Sequence, residues 1–411
     1  MSVDWVELGR AWVPRRVRRL IQRHVSMSDI KQRYFARRDP LAETLEGDGE
    51  AGGLGVRIGI IKSRVQRHTH YVRACKEMGL PFRVIDIAVH DWHRRVLDSG
   101  CEMFFSWPDA SLSPYARMHK DRCELIENHM GKIVFPGVVE TWMYEDKIRT
   151  TDWLVAHEVP CPRTWVFFDK DEARRFAEDC ALPIVFKTRF GAASTGVRIL
   201  RSRRELLGVI KRAFAGGHVP AGHDRRDREW GSLFLQEYLP DVREWRMVRI
   251  GDSYFAHLKG RAGDYHSGSG KVEWKMPEQH HLDLLHQITE RAGFRSMDVD
   301  VFELPDGRLL VNELQTVFGA SVSIDQQKQD GVPGRMVRSE TGAWVFEAGD
   351  FARNACANER IRYVLERFLD ERGCQGSSQS RRGGIGSQPS GPKTASTAGD
   401  ADSLWTSSRG G

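Results

Sequence analysis

Short apolar runs alternate with amphipathic segments in the first third of the chain. VRIGIIK (56–62) and FRVIDIAV (82–89) are typical of buried strands, and HTHYVRACKEMG (68–79) between them has the spacing of a helix that ends at Gly79. The same alternation continues through CEMFFSWP (101–108) and GKIVFPG (131–137). Strands that alternate with helices predict a parallel sheet with crossover helices, and we place this α/β domain at residues 56–140.

A different pattern begins near residue 141. The apolar runs LFLQEYLP (233–240), EWRMVRIG (244–251) and SYFAHLKG (253–260) follow each other closely and predict consecutive strands. After an amphipathic helix, SMDVDVFELPDGRLLVNELQ (296–315) predicts a strand, a PDG turn and a returning strand. We therefore predict a second domain over residues 141–372, which makes the whole chain a mixture of α/β and α+β structure.

The two ends of the chain differ from the middle. Residues 1–38 hold ten Arg or Lys against three Asp or Glu, which predicts a basic helical arm, followed by a Gly-rich linker that reaches residue 55. A solvated helix is favoured for this arm over a contact with nucleic acid, anionic lipid or an acidic partner. Residues 373–411 contain 18 Gly and Ser, and we predict a disordered tail.

Composition narrows the class of protein. The 411 residues are 40% hydrophobic and 29% charged, with a net charge of +6, and no apolar run approaches the roughly 18 residues of a membrane helix. The first residues lack the apolar core of a secretion signal. The seven cysteines show no CxxC spacing, which favours reduced thiols over a disulfide frame or a zinc site. We predict a cytoplasmic protein and leave homo-oligomerisation open.

The predicted hairpin at 296–315 carries acids at alternating positions. Alternation places Asp298 and Asp300 on one face, and Val311, Glu313 and Gln315 on one face of the returning strand. If both faces meet in one cleft, two carboxylates and an amide oxygen converge, and such hard oxygen ligands suit Mg²⁺. The alternative is an exposed hairpin with acids on its wet side.

Cations occur elsewhere in the second domain. Lys147 starts a predicted helix, Lys187 ends a buried strand, and Arg246 and Lys259 lie in later strands. These side chains suit phosphate oxygens, although each alone is more often a surface residue. The loop RFGAASTGV (189–197) after Lys187 is neither GxxxxGK[ST] nor GxGxxG, but its small residues would let backbone N–H groups close over phosphates as a flap.

The order of these parts resembles the ATP-grasp superfamily of carboxylate–amine ligases, and most closely the branch of glutathione synthetase and the ribosomal-protein glutamate ligases. The resemblance covers about residues 141–330. It includes the pair Asp146–Lys147, EVPCPRTW (158–165), FKTRFGAASTGV (186–197), LFLQEYLP, EWRMVRIG and DVDVF…NELQ. It implies that residues 56–140 form the domain that precedes a two-lobed ATP-grasp fold with antiparallel sheets.

The resemblance also implies roles for individual residues. For the nucleotide phosphates and the flap it implies Lys147, Lys187, Gly191, Ser194, Thr195 and Gly196. For adenine it implies Gln236, Glu237, Tyr238 and Leu239, and for the ribose Asp241 or Glu244. Arg246 and Lys259 would stabilise charge during catalysis, and Asp300, Glu313 and Gln315 would hold Mg²⁺, with Mn²⁺ as an alternative. Two departures stand out: Gln315 replaces the usual asparagine, and the segment after Lys259 lacks one.

The function that follows is an ATP- and Mg²⁺-dependent ligase that forms an amide or peptide bond through an acyl phosphate. Its partners would be a small-molecule or peptide carboxylate and an amine, without a membrane, and nucleic acid is disfavoured as a partner. SRVQRHTHY (63–71) could meet an acidic substrate or be an ordinary exposed loop, and residues 321–350 could also shape the substrate pocket. The alternatives are an ATP-binding regulatory relative and a peptide- or nucleic-acid-binding protein that uses the basic arm.

Overall fold

The computed structural model describes residues 39–49, 55–110, 112–191, 196–219, 224, 227–260, 272–317 and 327–382, with backbone only from 373 to 382. The predicted basic arm, most of the predicted tail, and the flap residues Ser194 and Thr195 lie outside the described residues. The chain divides into two units, Met1–Leu365 and Glu366–Gly411, and the three sheets belong to the first. No helix in the described part is long and apolar enough to cross a membrane.

The first sheet has five strands in the order β1-β3-β2-β4-β5. The strands are β1 (Glu46–Gly47), β2 (Ile58–Ile61), β3 (Phe82–Ile85), β4 (Met103–Phe105) and β5 (Ile133–Phe135). Strands β2 to β5 are parallel, as predicted, and only β1 runs antiparallel to its neighbour. The crossover and flanking helices are α1 (Thr69–Glu77), α2 (Trp92–Leu97), α3 (Ser113–Glu124, continued by a π-helical turn, Leu125–His129) and α4 (Val138–Met143).

A four-stranded antiparallel sheet follows, in the order β6-β9-β7-β8. Its strands are β6 (Thr164–Phe167), β7 (Ile184–Lys187), β8 (Val197–Leu200) and β9 (Leu233–Glu237), and α5 (Lys147–Ala156) precedes them. Helices α6 (Lys170–Asp179) and α7 (Arg203–Ala213) pack their apolar faces on the sheet, because their alanine, leucine and valine side chains share one core with β7 and β9.

The largest sheet has eight strands, with the path β14-β13-β10-β11-β16-β15 and with β12 and β17 attached to β11 and β16. Its strands are β10 (Arg243–Ile250), β11 (Ser253–Lys259), β12 (Val272–Glu273), β13 (Ser296–Glu303), β14 (Leu309–Gln315), β15 (Gln327–Gln329), β16 (Val332–Arg338) and β17 (Trp344–Ala348). Helix α8 (Gln279–Ala292) covers one face with Leu282, Leu285 and Ile288. The opposite face of β13 and β14 carries the polar residues.

Two connections matter for the site. Residues 238–242 join β9 of the four-stranded sheet to β10 of the eight-stranded sheet, so one short segment links the two sheets. The predicted domain boundary between residues 140 and 141 falls inside α4. There the buried Glu140 carboxylate accepts hydrogen bonds from the backbone N–H groups of Gly137, Arg295 and Ser296. The last helix, α9 (Arg353–Arg382), contains three residues with left-handed backbone, 354–356, and reaches ten residues into the predicted tail.

Candidate functional site

The polar face of the β13–β14 hairpin brings two acids together. Asp300 lies directly opposite Glu313 in the ladder, and Asp298 lies opposite Gln315. Directly paired residues have Cβ atoms roughly 5 Å apart, so the Asp300 and Glu313 carboxyl groups point into the same space. Asp300 is buried, Glu313 is half-buried, and Asp298 is fully buried beside them. The predicted convergence of Asp300, Glu313 and Gln315 on one face is what the hairpin shows.

A β-bulge in β14 changes the predicted faces. Asp300 pairs with Glu313 but the next residue, Val301, pairs with Val311, so Asn312 is an extra residue on β14. Val311 therefore lies in the hydrophobic core beside Val301, while Glu313 faces the polar side. The expectation that Val311 and Glu313 share a face is wrong, because simple alternation does not allow for an inserted residue.

Two lysines approach Glu313 and the bulge. The Lys147 ammonium lies 3.1 Å from Glu313 Oε1 and donates to the Gly191 carbonyl oxygen at 2.5 Å. The Lys187 ammonium donates to Asn312 Oδ1 at 2.8 Å. Lys147 begins α5, whose first turn is capped by the Asp146 carboxylate accepting from the Arg149 N–H. Lys187 is the last residue of β7, which pairs with β8 in the four-stranded sheet. Its side chain therefore reaches from the end of that sheet to β14 of the eight-stranded sheet.

Two further cations surround Asp300. Arg246 Nε lies 3.1 Å from Asp298 Oδ2 and 3.4 Å from Asp300 Oδ1. The Lys259 ammonium contacts Asp300 Oδ2 and lies 2.7 Å from Glu244 Oε1. Arg246 pairs with Asp300 across β10 and β13, and Glu244 pairs with Lys259 across β10 and β11. Strand register therefore accounts directly for the Arg246–Asp300 and Lys259–Glu244 contacts.

The acids and cations in this cluster stabilise each other's ionised forms. Burial acts to raise the pKa of Glu313 and Asp300, but Lys147 near Glu313, and Lys259 with Arg246 near Asp300, hold both pKa values below their usual range. Burial likewise opposes the charge on Lys147, yet the nearby Glu313 and Glu145 raise its pKa. Lys187, by contrast with Lys147, has a pKa lowered to about 8, because burial outweighs its acidic neighbours. At neutral pH the cluster holds ionised acids and cations in contact.

Asp300 and Glu313 fit a Mg²⁺ site in which phosphate oxygens supply some of the ligands. No group of three or more His, Cys, Asp or Glu side chains within the described ranges forms a metal cage of its own. Mg²⁺ commonly uses one or two protein carboxylates, with water and phosphate oxygens as its other ligands. Asp300 and Glu313 supply that donor set. Gln315 turns its amide N–H towards Glu313 Oε1, at 2.8 Å, and its oxygen towards the Glu145 N–H, at 3.4 Å.

The ends of the Gly-rich loop are held by hydrogen bonds. The Glu229 carboxylate accepts from the backbone N–H groups of Arg189 and Phe190, at 2.6 and 2.8 Å. Gly191 has φ of 119°, and its N–H donates to Glu145 Oε2 at 3.2 Å. At the other end, a Cβ on Gly196 would lie 1.7 Å from Thr188 Oγ1, so a larger residue would force the Thr188 side chain to shift. Ser194 and Thr195, which we predict to contact the nucleotide phosphates, lie outside the described residues.

The segment expected at adenine leads out of β9. Gln236 is buried and its side-chain amide lies 3.2 Å from Thr164 Oγ1, while the Glu237 carboxylate accepts from the Arg163 N–H at 2.7 Å. Tyr238 and Leu239 are half-buried in the link between the two sheets. Neither polar side chain of β9 takes part in the cation cluster. Glu244 does belong to it, through Lys259, and Asp241 follows in the link with φ of 55°.

Sequence reasoning missed four residues of this region. They are Glu145, Glu229, Asp298 as an ion-pair partner of Arg246, and Asn312. Two of them could have been inferred from the sequence, because Glu145 lies two residues before Lys147 and Asp298 lies two residues before Asp300. Glu229 could not, because it lies 40 residues from Arg189 in the chain.

Comparison with known proteins points to a single fold. No protein-family model and no curated protein sequence matches the chain. Solved structures do match. A RimK domain ATP-grasp protein from Sphaerobacter thermophilus is 14% identical, with a TM-score of 0.50, over 75% of this chain and 99% of its own. D-cycloserine synthetase DcsG is 16% identical, with a TM-score of 0.51, over 76% and 99%.

A third similar structure is the ADP complex of purK, an N5-carboxyaminoimidazole ribonucleotide synthetase. It is 14% identical, with a TM-score of 0.50, over 72% of this chain and 83% of its own. Identities this low speak for the fold and not for a branch within it. The parallel sheet followed by two antiparallel sheets agrees with the expected architecture. The chain has the ATP-grasp fold.

Proposed function

We propose that the chain is an ATP- and Mg²⁺-dependent carboxylate–amine ligase. The observation that carries the proposal is the cluster of four buried or half-buried cations, Lys147, Lys187, Arg246 and Lys259, around the paired acids Asp300 and Glu313. Phosphate groups and a divalent ion suit such a mixture, since the phosphates bind the cations and the ion binds the acids. The similar structures support the proposal, because one of them is an ADP complex and another is a synthetase.

The four cations would have two different roles at the phosphates of ATP. Lys147 and Lys187 lie towards the Gly-rich loop and would hold the phosphate oxygens of ATP. Arg246 and Lys259 lie on the strands of the larger sheet and would stabilise the charge that develops during transfer. Mg²⁺, held by Asp300 and Glu313 with Gln315 as a further candidate, would add positive charge at the β- and γ-phosphate oxygens.

The proposed reaction has two steps. A substrate carboxylate oxygen attacks the γ-phosphorus, so that an O–P bond forms, the bond to ADP breaks, and an acyl phosphate results. An amine nitrogen then attacks the acyl carbon, a C–N bond forms, and phosphate leaves with the C–O electron pair while the nitrogen loses a proton. The protein contributes positioning and charge rather than a covalent intermediate, as in other phosphoryl transfers.

The test is ADP release from Mg·ATP with a panel of carboxylates and amines, followed by mass spectrometry of the products. We expect wild type to release ADP and to form an amide with at least one pair. Glu313→Gln should lower kcat/KM by about 10²-fold, because one acid of the metal pair is lost. Glu178→Gln, on the exposed face of α6, is the matched control and should not change the rate. Wild-type rates in Glu313→Gln would refute the metal assignment.

One observation favours an ATP-binding relative without ligase activity as the second candidate. Gln315 directs an N–H group, not an oxygen, towards Glu313. If this arrangement weakens metal binding, the protein would bind Mg·ADP in calorimetry yet release no ADP with any substrate pair. Gln315→Asn should then leave nucleotide binding intact and raise turnover above the background. The ligase proposal requires instead that wild type turns over and that Gln315→Asn gains little.

A further inference from the structure

The first turn of helix α3 is capped by a residue that lies 114 positions later in the chain. Leu112 occupies the N-cap position of α3, and its apolar side chain cannot accept a hydrogen bond from the first turn. The Asp227 carboxylate takes this role, because it accepts from the Ser113 backbone N–H at 3.0 Å and from the Ser113 hydroxyl group. The positive end of the helix dipole also favours a carboxylate at this place. Asp227 therefore ties the segment before β9 to the parallel-sheet portion of the chain.

The same segment also holds the start of the Gly-rich loop. Two residues after Asp227, the Glu229 carboxylate accepts from the backbone N–H groups of Arg189 and Phe190, at 2.6 and 2.8 Å. Arg189 and Phe190 follow β7 closely and lead into the loop. Two side chains only two positions apart thus hold two parts of the molecule that belong to different sheets.

The backbone of this segment is fixed by hydrogen bonds of its own. Glu229 and His218 exchange backbone hydrogen bonds, at 2.7 and 2.9 Å, and the Gly231 N–H donates to the Ala213 carbonyl oxygen at 2.9 Å. Gly217 lies so close to this bridge that a Cβ there would be 2.5 Å from the Glu229 carbonyl oxygen. Because the segment is held in this way, a displacement at one of its ends is passed on to the other.

The contacts continue from the start of the loop to the proposed phosphate site. The Arg189 guanidinium pairs with both oxygens of the buried Asp146 carboxylate, at 2.8 and 2.7 Å. Asp146 is also the N-cap of α5, whose first residue is Lys147. The Lys147 ammonium in turn donates to the Gly191 carbonyl oxygen at 2.5 Å. A series of contacts therefore joins the start of α3 to Lys147 and Gly191.

We propose that Asp227 and Glu229 form a clamp that positions the start of the Gly-rich loop, residues 189–191, relative to helix α3. Both are positioning residues, since Glu229 acts on the loop through backbone N–H groups and Asp227 acts on the first turn of α3. The clamp couples the two portions of the chain, so that a displacement of α3 reaches Lys147 and Gly191. Its effect on nucleotide affinity rests on the proposed ATP-dependent function, whereas its effect on the loop backbone does not.

The first test is hydrogen–deuterium exchange of the full chain without nucleotide, read by mass spectrometry on peptides that contain the Arg189 and Phe190 amides. Asp227→Ala should speed exchange there about 2- to 30-fold, because the loss of one helix-capping contact makes local opening more frequent. Peptides from β13 should exchange as in wild type, which separates the clamp from a general loss of stability. Asp227→Asn keeps an acceptor oxygen and should restore part of the protection. Asp179→Ala, exposed at the end of α6, is the matched control and should exchange as wild type does.

A second variant changes the opposite side of the same contact. Ser113→Ala removes only the hydroxyl donor to Asp227, and it lies in the parallel-sheet portion, away from the loop. It should speed exchange at Arg189 and Phe190 by a smaller factor than Asp227→Ala does. In the Ser113→Ala background, Asp227→Ala should add less than it does alone, because the two residues share one contact. Should Asp227→Ala fold poorly, Ser113→Ala and Asp227→Asn carry the test.

Mg·ADP affinity separates the clamp from the proposed function. Titration calorimetry should show weaker binding to Asp227→Ala than to wild type, by a factor similar to the change in exchange. Wild-type exchange at Arg189 and Phe190 in Asp227→Ala, or an equal acceleration in β13, would overturn the clamp and leave the proposed function standing. A wild type that binds no Mg·ADP, with exchange that still responds to Asp227→Ala, would contradict the function and leave the clamp. Faster exchange with unchanged Mg·ADP affinity would overturn the coupling to the nucleotide.

Discussion

The Lys187 ammonium donates a hydrogen bond of 2.8 Å to Asn312 Oδ1, and this bond joins the end of β7 to the bulge of β14. The two residues belong to different sheets, so the contact closes the space in which we expect the nucleotide phosphates. Asn312 is a neutral acceptor, which means that Lys187 keeps its full charge available for a phosphate. We therefore expect a substitution of Lys187 to have a measurable effect on nucleotide affinity.

Replacing Lys187 should weaken nucleotide binding without disturbing the fold. For Lys187→Met we expect about 10- to 100-fold lower affinity for Mg·ADP in titration calorimetry, because one charged hydrogen bond is worth roughly 1.5–3 kcal/mol. Lys211→Met, on the exposed end of α7, is the control and should bind as wild type does. Asn312→Ala acts only through Lys187 and should cost less than 10-fold, roughly one neutral hydrogen bond. Unchanged affinity in Lys187→Met would remove Lys187 from the phosphate site.

The same lysine predicts how nucleotide binding depends on pH. Its pKa is lowered to about 8, so free protein loses the Lys187 charge as the pH rises through that value. Affinity for Mg·ADP should therefore fall from neutral to alkaline pH, and Lys187→Met should lack this part of the dependence. The effect on stability has the opposite sign. Between about 8 and 10.5 the unfolded chain holds the proton and the folded chain does not, so stability gains from rising pH.

Glu140 should be important for stability. Its carboxylate accepts three backbone N–H groups, and Glu140→Ala would leave these donors buried without an acceptor, at a cost of about 3 kcal/mol or more. Glu140→Gln keeps one acceptor oxygen and should cost less. Chemical unfolding measures both. A loss below about 0.5 kcal/mol in Glu140→Ala would show that water replaces the carboxylate.

The pKa of Glu140 gives this residue a second signature. Burial raises the pKa to about 7, and the backbone N–H groups only partly oppose the shift. The folded chain then holds a proton that the unfolded chain releases above 4.5, so the stability that Glu140 adds is lost as the pH rises through about 7. Tm values at about pH 5 and pH 8 should differ more in wild type than in Glu140→Gln.

The contact between Gly196 and Thr188 allows a test in which a second substitution compensates for the first. A Cβ at this position would overlap Thr188 Oγ1, at 1.7 Å, and lie 2.9 Å from Thr188 Cβ. Gly196→Ala should destabilise the protein by about 1–3 kcal/mol, the usual cost of overpacking. Adding Thr188→Gly removes the clashing atoms and should recover part of the loss. If the double variant is the sum of the two single variants, the clash is not the cause.

Sequence reasoning reached the hairpin acids because strand alternation is a local property. Asp298, Asp300, Glu313 and Gln315 alternate along strands whose apolar partners mark the core face, and their register follows from one short turn. The bulge could not be anticipated, since nothing in LLVNELQ (309–315) shows that Asn312 is extra. Asn312 was therefore missed and Val311 was assigned to the wrong face.

Contacts between distant segments were also beyond reach. Glu229 touches Arg189 and Phe190 only because the segment before β9 lies against these two residues that follow β7. The loop after β2 that holds Ser63 and Gln66 was visible as polar. The burial of Ser63 Oγ and Gln66 Oε1, which lack hydrogen-bond partners among the described residues, depends on how α1 and the loop after β4 pack. Such features follow from tertiary packing, which periodicity does not encode.

The Glu140 carboxylate has a consequence for how this protein could have been assembled. It belongs to the helix that ends the parallel-sheet portion, but the N–H groups of Arg295 and Ser296 that it satisfies start a strand of the largest sheet. The portion with the antiparallel sheets therefore depends on an acceptor from the portion before it. A foreign counterpart of the parallel-sheet portion would have to supply an equivalent acceptor for these two N–H groups. Glu140 thus makes the start of one strand in the largest sheet dependent on a helix that follows the parallel sheet.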